Sequence, residues 1–291
     1  DAVAGDFPSI EQIDGDLVLL KDRTRSIRTY TTDSTIGEVP KLAQKHQIKV
    51  ALGAWIDARF AHNATEIERA IRLARRHDNV IRLIVGNEVI LRGDIPLADL
   101  TAYLDKVRAA VKQPVSTAEP WHVWLRHPEL AEHVDYLAVH MLPYWEGIPA
   151  DASIGYIDSK VAELEQAFPG KKIVLAEVGW PSNGRTREAA VASEANEAMF
   201  LRRFLSRARE QGYVYYLMEA FDQPWKAQSE GSVGAYWGVW NVDREAKFPF
   251  KAPIVRIPEW RTLAAIAVAL ALLLFTVFSL DGRRLATSGR S

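Results

Sequence analysis

Two glutamates each close an apolar run. Glu88 follows Val80-Ile81-Arg82-Leu83-Ile84-Val85-Gly86-Asn87. Glu177 follows Lys172-Ile173-Val174-Leu175-Ala176 and precedes Val178-Gly179-Trp180-Pro181. Short β-branched runs bounded by Gly or Pro read as buried strands. A carboxylate at the C-terminal end of a barrel strand stands where a (β/α)₈ enzyme keeps its catalytic groups. Two facing carboxylates suit glycoside hydrolysis, which needs an acid and either a nucleophile or a base. The plainer alternative is two strand-end glutamates in unrelated salt bridges.

The elements that must position this pair alternate along the chain. Helical spacing covers Ile10–Leu20, about Thr35–Gln47, Thr65–His77, about Leu97–Val111, Tyr156–Phe168 and Ser193–Gln211. Strand-like runs are Ser26–Tyr30, Lys49–Trp55, Val80 to Glu88, Val115–Ala118, Val134–His140, Lys172–Glu177 and Tyr213–Met218. Thr65-Glu66-Ile67-Glu68 has the capping-box pattern of a helix start. A barrel spends about thirty residues per strand–helix unit, which sets Glu88 and Glu177 three units apart, across the barrel mouth. A doubly wound sheet would place a Gly-rich phosphate loop after its first strand, and none is visible. The expected fold is therefore an α/β (β/α)₈ barrel over residues 1–250. Seven strands are legible and the chain opens on a helix, so the first barrel strand is expected to be missing. Asp1 to Ser9, with Gly5 and Pro8, makes a poor strand.

Bulk properties exclude several classes. The net charge of −1 argues against a nucleic-acid partner, and the lack of cysteine excludes disulfides and thiol chemistry. His122, His127, His133 and His140 match no compact metal site, so neither metal nor other cofactor is expected. Nine tryptophans favour a carbohydrate ligand weakly, since Trp is also a large core residue. Residues 251–261 read as a linker. Thr262 to Leu280 carry no charge, and at 1.5 Å per residue they span about 28 Å of a ~30 Å hydrocarbon core. A transmembrane helix in a lipid bilayer is predicted there. Arg283, Arg284 and Arg290 follow it, which favours a cytoplasmic tail over 281–291 and a catalytic domain on the periplasmic or extracellular side of the inner membrane. The start at Asp1, without an export signal, predicts that the chain continues a longer one.

Val85-Gly86-Asn87-Glu88 and Ala176-Glu177-Val178-Gly179-Trp180-Pro181-Ser182 resemble glycoside hydrolase family 17, the retaining (β/α)₈ β-1,3-glucanases. The resemblance covers roughly Phe7 to Phe250 and is nearest to bacterial members of membrane-bound glucan-assembly proteins. Those show stretches like Ile27-Arg28-Thr29-Tyr30, Thr117-Ala118-Glu119-Pro120-Trp121, Pro143-Tyr144-Trp145 and Glu219 through Lys226. It implies Glu88 as general acid/base and Glu177 as nucleophile. Asn87 would then bond the sugar 2-OH. Glu219, Asp222 and Lys226 would form a polar site wall, with Arg28 and Tyr30 lining the site. Protonated Glu88 should titrate above the free carboxylate value of ~4.3. Trp121, Trp124, Tyr144, Trp145, Trp180, Trp225 and Trp237 all follow strands, and Trp121, Tyr144, Trp145 and Trp225 are the preferred sugar platforms. Glu119 reads as support behind the site, and Arg92 with Asp94 as a loop ion pair. His140 ends a strand beside substrate or Glu177. Plant-type members carry Asn at this place and Tyr where Leu142 stands.

The implied function is a membrane-tethered, retaining β-1,3-glucan glycosidase or transglycosylase that elongates, branches or cyclises glucan, with a glucan synthase as a candidate neighbour. The alternatives are a plain endo-β-1,3-glucanase, a hydrolase of other β-glycans, or a catalytically silent glucan-binding barrel.

Overall fold

The computed structural model describes residues 5–255 and 259–288. The elements run α1 (Ile10–Leu20), β1 (Ser26–Arg28), α2 (Val39–Lys45), β2 (Lys49–Ala54), α3 (Phe60–Arg76), β3 (Val80–Asn87) and α4 (Val89–Arg92). Next come α5 (Leu97–Ala110), β4 (Val115–Pro120), α6 (Trp121–Arg126), β5 (Tyr136–Met141), α7 (Ser153–Ala167) and β6 (Lys172–Val178). The last are α8 (Glu194–Gln211), β7 (Val214–Leu217), α9 (Ala227–Glu230) and α10 (Trp260–Ser288). All seven strands pair in parallel, in chain order from β1 to β7. The result is a nearly closed α/β barrel, open between β7 and β1. No strand precedes α1 among the described residues; residues 1–4 of the stretch read as a poor strand lie outside them.

The barrel interior is filled in layers. Ala51, Ile84, Ala118, Ala138, Val174 and Ala176 pack with Tyr136 and Tyr216 in one buried cluster. The two tyrosines supply the volume that the alanines leave. Tyr136 donates to the Leu83 carbonyl at 3.0 Å. Arg82 lies over both phenol rings, 5.4 and 5.9 Å from their centroids.

α3 departs from the predicted capping box. It begins at Phe60, and Thr65 already donates back to the Ala61 carbonyl at 3.1 Å inside the helix. Glu66 is fully buried and serves two loops instead of its own helix. It accepts from Thr32 N at 2.9 Å, Trp55 N at 2.9 Å, and the Thr31 and Thr32 hydroxyls at 3.0 Å. A carboxylate with that many donors fixes the chain leaving β1 against the chain leaving β2.

After β7 the chain folds back on itself. Glu219 N donates to Trp237 O and Val239 N to Glu219 O, both at 2.9 Å, and Phe221 pairs with Trp240. The peptide bond from Met218 to Glu219 is cis. Lys247 locks this return from below. Its ammonium lies 2.7 Å from Ser182 Oγ, 2.8 Å from Asp222 and 3.4 Å from Glu197. Burial drives Glu197 well above the carboxylate range, against the pull of Lys247.

Two compact units divide the chain, residues 1–248 and 249–291. In the second, Trp260–Ser279 forms a helix of mean hydropathy 2.5, long and apolar enough to cross a membrane. Its predicted span, 262–280, falls within α10, which continues to Ser288. Residues 256–258 of the predicted linker, and Arg290, lie outside the described residues.

Candidate active site

The site is built on the C-terminal rim of the strands. In the β5–β6 ladder Val139 pairs with Leu175, and then His140 pairs with Glu177. One residue, Ala176, is slipped past. Such a bulge re-aims the side chain that follows it, and here it sets Glu177 beside His140. It also frees the Ala176 carbonyl, which accepts from Arg28 Nη1 at 2.8 Å. Gly179 then lets β6 pass close to β7, since a Cβ there would stand 2.0 Å from Met218 O.

Glu88 reaches the same place by backbone conformation. It has φ 55°, in the left-handed region. Its N–H donates to Ala118 O at 2.7 Å. Gly86 has φ 86°, and a Cβ there would meet the Val89 side chain at 2.6 Å. Only glycine suits both the angle and the space. Fully buried Glu119 of β4 caps the helix that follows. It accepts from Ile90 N at 2.8 Å and Leu91 N at 3.3 Å. Burial, opposed by these two N–H groups, pushes Glu119 up to about 7.

Glu88 and Glu177 meet across His140. His140 Nδ1 is 2.6 Å from Glu88 Oε1, and Nε2 is 3.3 Å from Glu177 Oε1. The facing carboxylate oxygens lie within 4.8 Å of each other. That is nearer the ~5–5.5 Å of a nucleophile with its acid/base than the ~6.5–9.5 Å of an inverting pair. Arg28 Nη1 donates to Glu177 Oε1 at 3.1 Å, and Nη2 donates to Asn87 Oδ1. The guanidinium stacks 4.4 Å above the Tyr30 ring. Burial, with the neighbouring Glu177 charge, holds the Tyr30 phenol well above its usual range.

Glu88 titrates opposite to expectation. Burial raises it, but its bond with His140, with further help from Arg92 and Arg28, brings it below the usual carboxylate value. On the far wall Lys226 donates to Glu219 Oε2 at 2.6 Å, and Gln223 donates to the same oxygen. Glu219 Oε1 is buried and has no partner among the described residues. Burial raises Glu219. Burial raises Glu230 to about 7, with the charge of Lys226 pulling it down and those of Glu219, Glu177 and Glu88 adding to the rise. It was not singled out in the sequence because it ends a polar loop stretch with no apolar run to mark it.

Two clusters offer three metal-ligating groups each: Glu88, His140 and Glu177, and Asp33, His62 and Glu66. A guanidinium sits among both sets, Arg28 against Glu177 and Arg69 against Asp33. A cation would have to displace it.

The chain and its fold have counterparts among known proteins. The BtgE/BtgC glycoside hydrolase domain matches residues 2–238. The chain belongs to glycoside hydrolase family 17. Like other members of that family it is a retaining enzyme of O-glycosyl bonds. Its sequence is 30% identical over 253 residues to a glucan 1,3-beta-glucosidase of Schizosaccharomyces pombe, covering 80% of this chain and 78% of the relative. A probable glucan endo-1,3-beta-glucosidase, btgC of Aspergillus clavatus, is 28% identical over 282 residues, 84% of this chain but only 40% of the relative. The crystal structure of the family 17 β-1,3-glucanosyltransferase of Rhizomucor miehei superposes with a TM-score of 0.76 at 29% identity, covering 84% of this chain and 91% of that one. An active-site mutant of the same enzyme has been solved with laminaritriose.

In this family 17 barrel the residues singled out from sequence fall into three groups. Arg28, Tyr30, Asn87, Glu88, His140 and Glu177 form one contiguous cluster, with Glu219 and Lys226 on its wall. Trp121, Trp145 and Trp225 are half-exposed at the rim. Lys160 covers one face of Trp121, 3.8 Å from the ring centroid. Trp225 donates to Gln223 at 3.1 Å, which links it to Glu219. The third group differs from expectation. Tyr144 and Trp180 are fully buried, as are Trp124 and Trp237. Tyr144 is held edge-on by Trp180 and Trp237, each 5.8 Å away. Neither Tyr144 nor Trp180 has a free face for a sugar; Tyr144 packs against Trp145, and Trp180 against Tyr144 and Phe200. Asp222 turns away from the cluster, accepting from Gly238 N at 2.9 Å and from Lys247. A buried ammonium demands a carboxylate, so Asp222 secures the chain return rather than the site wall. Arg92 and Asp94 do pair, at 2.6 Å, and Arg92 also stacks on Trp55.

Proposed function

We propose that the barrel acts on β-1,3-glucan by double displacement and remodels it at a membrane. Glu88 protonates the leaving glycosidic oxygen while Glu177 attacks the anomeric carbon. A sugar hydroxyl or water then takes the glycosyl unit from Glu177, with Glu88 as base. The observation that carries this is the pair of carboxylates within 4.8 Å at one strand rim. A retaining mechanism needs that spacing.

Several features support the assignment of parts. Arg28, 3% exposed at its side chain, lies 3.1 Å from Glu177 and holds its carboxylate in place. Asn87, oriented by Arg28, is available to the sugar 2-OH. The unpartnered Glu219 Oε1 is an acceptor for another hydroxyl. Laminaritriose on the Rhizomucor miehei relative supports the linkage. Transfer to a second sugar is favoured over digestion by the apolar Trp260–Ser279 helix, which would tether the enzyme beside a glucan-export system. The bacterial, membrane-bound branch of the family, with the barrel outside the cytoplasm, is part of the same proposal.

The test uses the full chain in detergent micelles with β-1,3-gluco-oligosaccharides. Mass spectrometry should reveal products longer than the substrate, and NMR their new linkages. Glu88→Gln should lose turnover by ~10³-fold, within the range of general acid–base catalysis, yet still bind the oligosaccharide. Only shorter products would mean hydrolysis. Equal behaviour of variant and wild type would refute the catalytic assignment.

A further inference from the structure

The mechanism above uses Glu88 and Glu177 and leaves His140 unexplained. That residue is 2% exposed and stands between them. Arg28 decides which ring nitrogen holds the proton. A guanidinium donates and never accepts. Its Nη1 lies 3.2 Å from His140 Nε2 in a hydrogen bond, so Nε2 accepts and is bare. The same Nη1 also donates to Ala176 O at 2.8 Å and to Glu177 Oε1 at 3.1 Å. Nε2 and Glu177 Oε1 are 3.3 Å apart. They are two acceptors side by side, and one guanidinium hydrogen between them serves both. With Nε2 bare, the ring proton is on Nδ1. That nitrogen lies 2.6 Å from Glu88 Oε1 and donates to it. The ring is a neutral imidazole with each nitrogen committed.

We propose that Arg28 fixes His140 as the Nδ1–H tautomer, and that this ring, a permanent donor to Glu88 Oε1, confines the catalytic proton to Glu88 Oε2. This rests on the double-displacement reading of the site. A proton on Oε1 would face Nδ1–H, hydrogen against hydrogen, across 2.6 Å. No hydrogen bond is made to Oε2 among the described residues, and the Glu88 side chain is 27% exposed. Oε2 is therefore the oxygen open to a sugar.

The steps balance with the ring proton unmoved. In the first, a Glu177 oxygen pair forms the bond to C1, and the C1–O bond to the leaving sugar breaks. The leaving oxygen takes the proton from Glu88 Oε2. Glu88 becomes an anion, and the Nδ1–H bond to it strengthens as that charge develops. An interaction stronger in the transition state than in the ground state speeds the step. In the second, the acceptor O–H gives its proton to Oε2, its oxygen bonds C1, and the C1–O pair returns to Glu177. Both transfers use the same oxygen of Glu88, which need not turn between them. The ring acts through Glu88 and is a positioning residue.

The charged and titratable groups that bear on Glu88 are Arg28 of β1, Arg92 of α4, Glu119 of β4, His140 of β5, Glu177 of β6 and Glu230 of α9. Burial raises Glu88, and the bond from His140, with Arg92 and Arg28, outweighs it.

Two measurements decide it. The first is NMR of the full chain, in micelles, with ¹⁵N-labelled histidine. At pH 7 His140 should carry a proton at Nδ1 and a bare Nε2. A ring protonated at Nε2, alone or together with Nδ1, overturns the proposal whether or not the protein turns over glucan. The second is the pH profile of kcat/KM, whose basic limb reports the acid of the free enzyme. His140→Leu keeps the bulk and removes the donor. A hydrogen bond to a charged group is worth about one to two pH units, so the limb should move up by that much and kcat should fall by up to ~10²-fold, with KM little changed. His140→Asn sets an amide nitrogen near the place of Nδ1, and should recover most of the rate and bring the limb back toward wild type. Equal losses in both variants, with an unshifted limb, would mean a merely structural histidine and sink the proposal. Turnover of β-1,3-glucan by a chain with the other tautomer sinks the ring assignment alone. Nδ1–H in a chain that turns over no β-1,3-glucan sinks the substrate reading and leaves the ring assignment standing.

Discussion

Replacing Arg28 by lysine keeps the charge and removes the fork. The guanidinium joins three strands: Nη1 donates to Ala176 O and Glu177 Oε1 on β6, and Nη2 to Asn87 Oδ1 at the end of β3, from a base on β1. A lysine offers a single nitrogen. One nitrogen cannot stand at both the Nη1 and the Nη2 positions, so the four contacts of Arg28 with Ala176, Glu177, His140 and Asn87 are not all reproduced. At least one hydrogen bond with a charged partner is lost in a buried place, which costs about 1.5–3 kcal/mol. If the contact is retained to the transition state, kcat/KM falls by roughly 10- to 150-fold at 1.4 kcal/mol per decade. Arg28→Met goes further. It leaves Glu177, 8% exposed at its side chain, without its cation. Breaking a buried pair in this way costs about 3–5 kcal/mol of stability. The assay is kcat/KM on a β-1,3-gluco-oligosaccharide together with thermal unfolding of the same samples. The lysine variant should unfold close to wild type and lose rate; the methionine variant should lose both. A lysine variant within twofold of wild type would refute the claim that the three-strand fork organises the site.

Glu119 gives a stability signature with a definite sign. Its carboxyl is raised from 4.5 to about 7 by burial, so between those values the folded chain holds a proton that the unfolded chain has lost. Its contribution is complete below pH 4.5 and is lost as pH rises through 7. Glu119→Gln keeps an acceptor for Ile90 N, turns its NH2 toward Leu91 N and removes the titrating proton, so whatever its fixed cost it should gain stability relative to wild type by about 1–3 kcal/mol on going from pH 5 to pH 8. Parallel unfolding curves at both pH values would count against a raised Glu119. Gly179→Ala places a methyl 2.0 Å from Met218 O. Overpacking of that kind costs roughly 1–3 kcal/mol or more; an unchanged melting temperature would show that β6 and β7 separate freely.

The amino-acid sequence by itself determined the order and kind of elements, because a buried parallel strand must be apolar on both faces and a helix must repeat its apolar face every turn. It also marked Glu88 and Glu177, since a carboxylate that ends such a run has few other uses. Position within a run is local information. Direction is not. The bulge that slips Ala176 and brings Glu177 opposite His140 arises only where β5 meets β6. The left-handed turn at Glu88 depends on a carbonyl of β4 and on Glu119 behind the next helix. Tyr144 and Trp180 look like sugar platforms along the chain, but Trp237, far on in the sequence, covers Tyr144, and Phe200 of α8 packs on Trp180. Asp222 lies within a polar stretch that suits a site wall, until Lys247 from the returning tail claims it. In each case a partner distant in the chain supplies the hydrogen bond, charge or apolar face. Side-chain orientation follows the strongest such partner, and the tertiary structure alone decides which one that is.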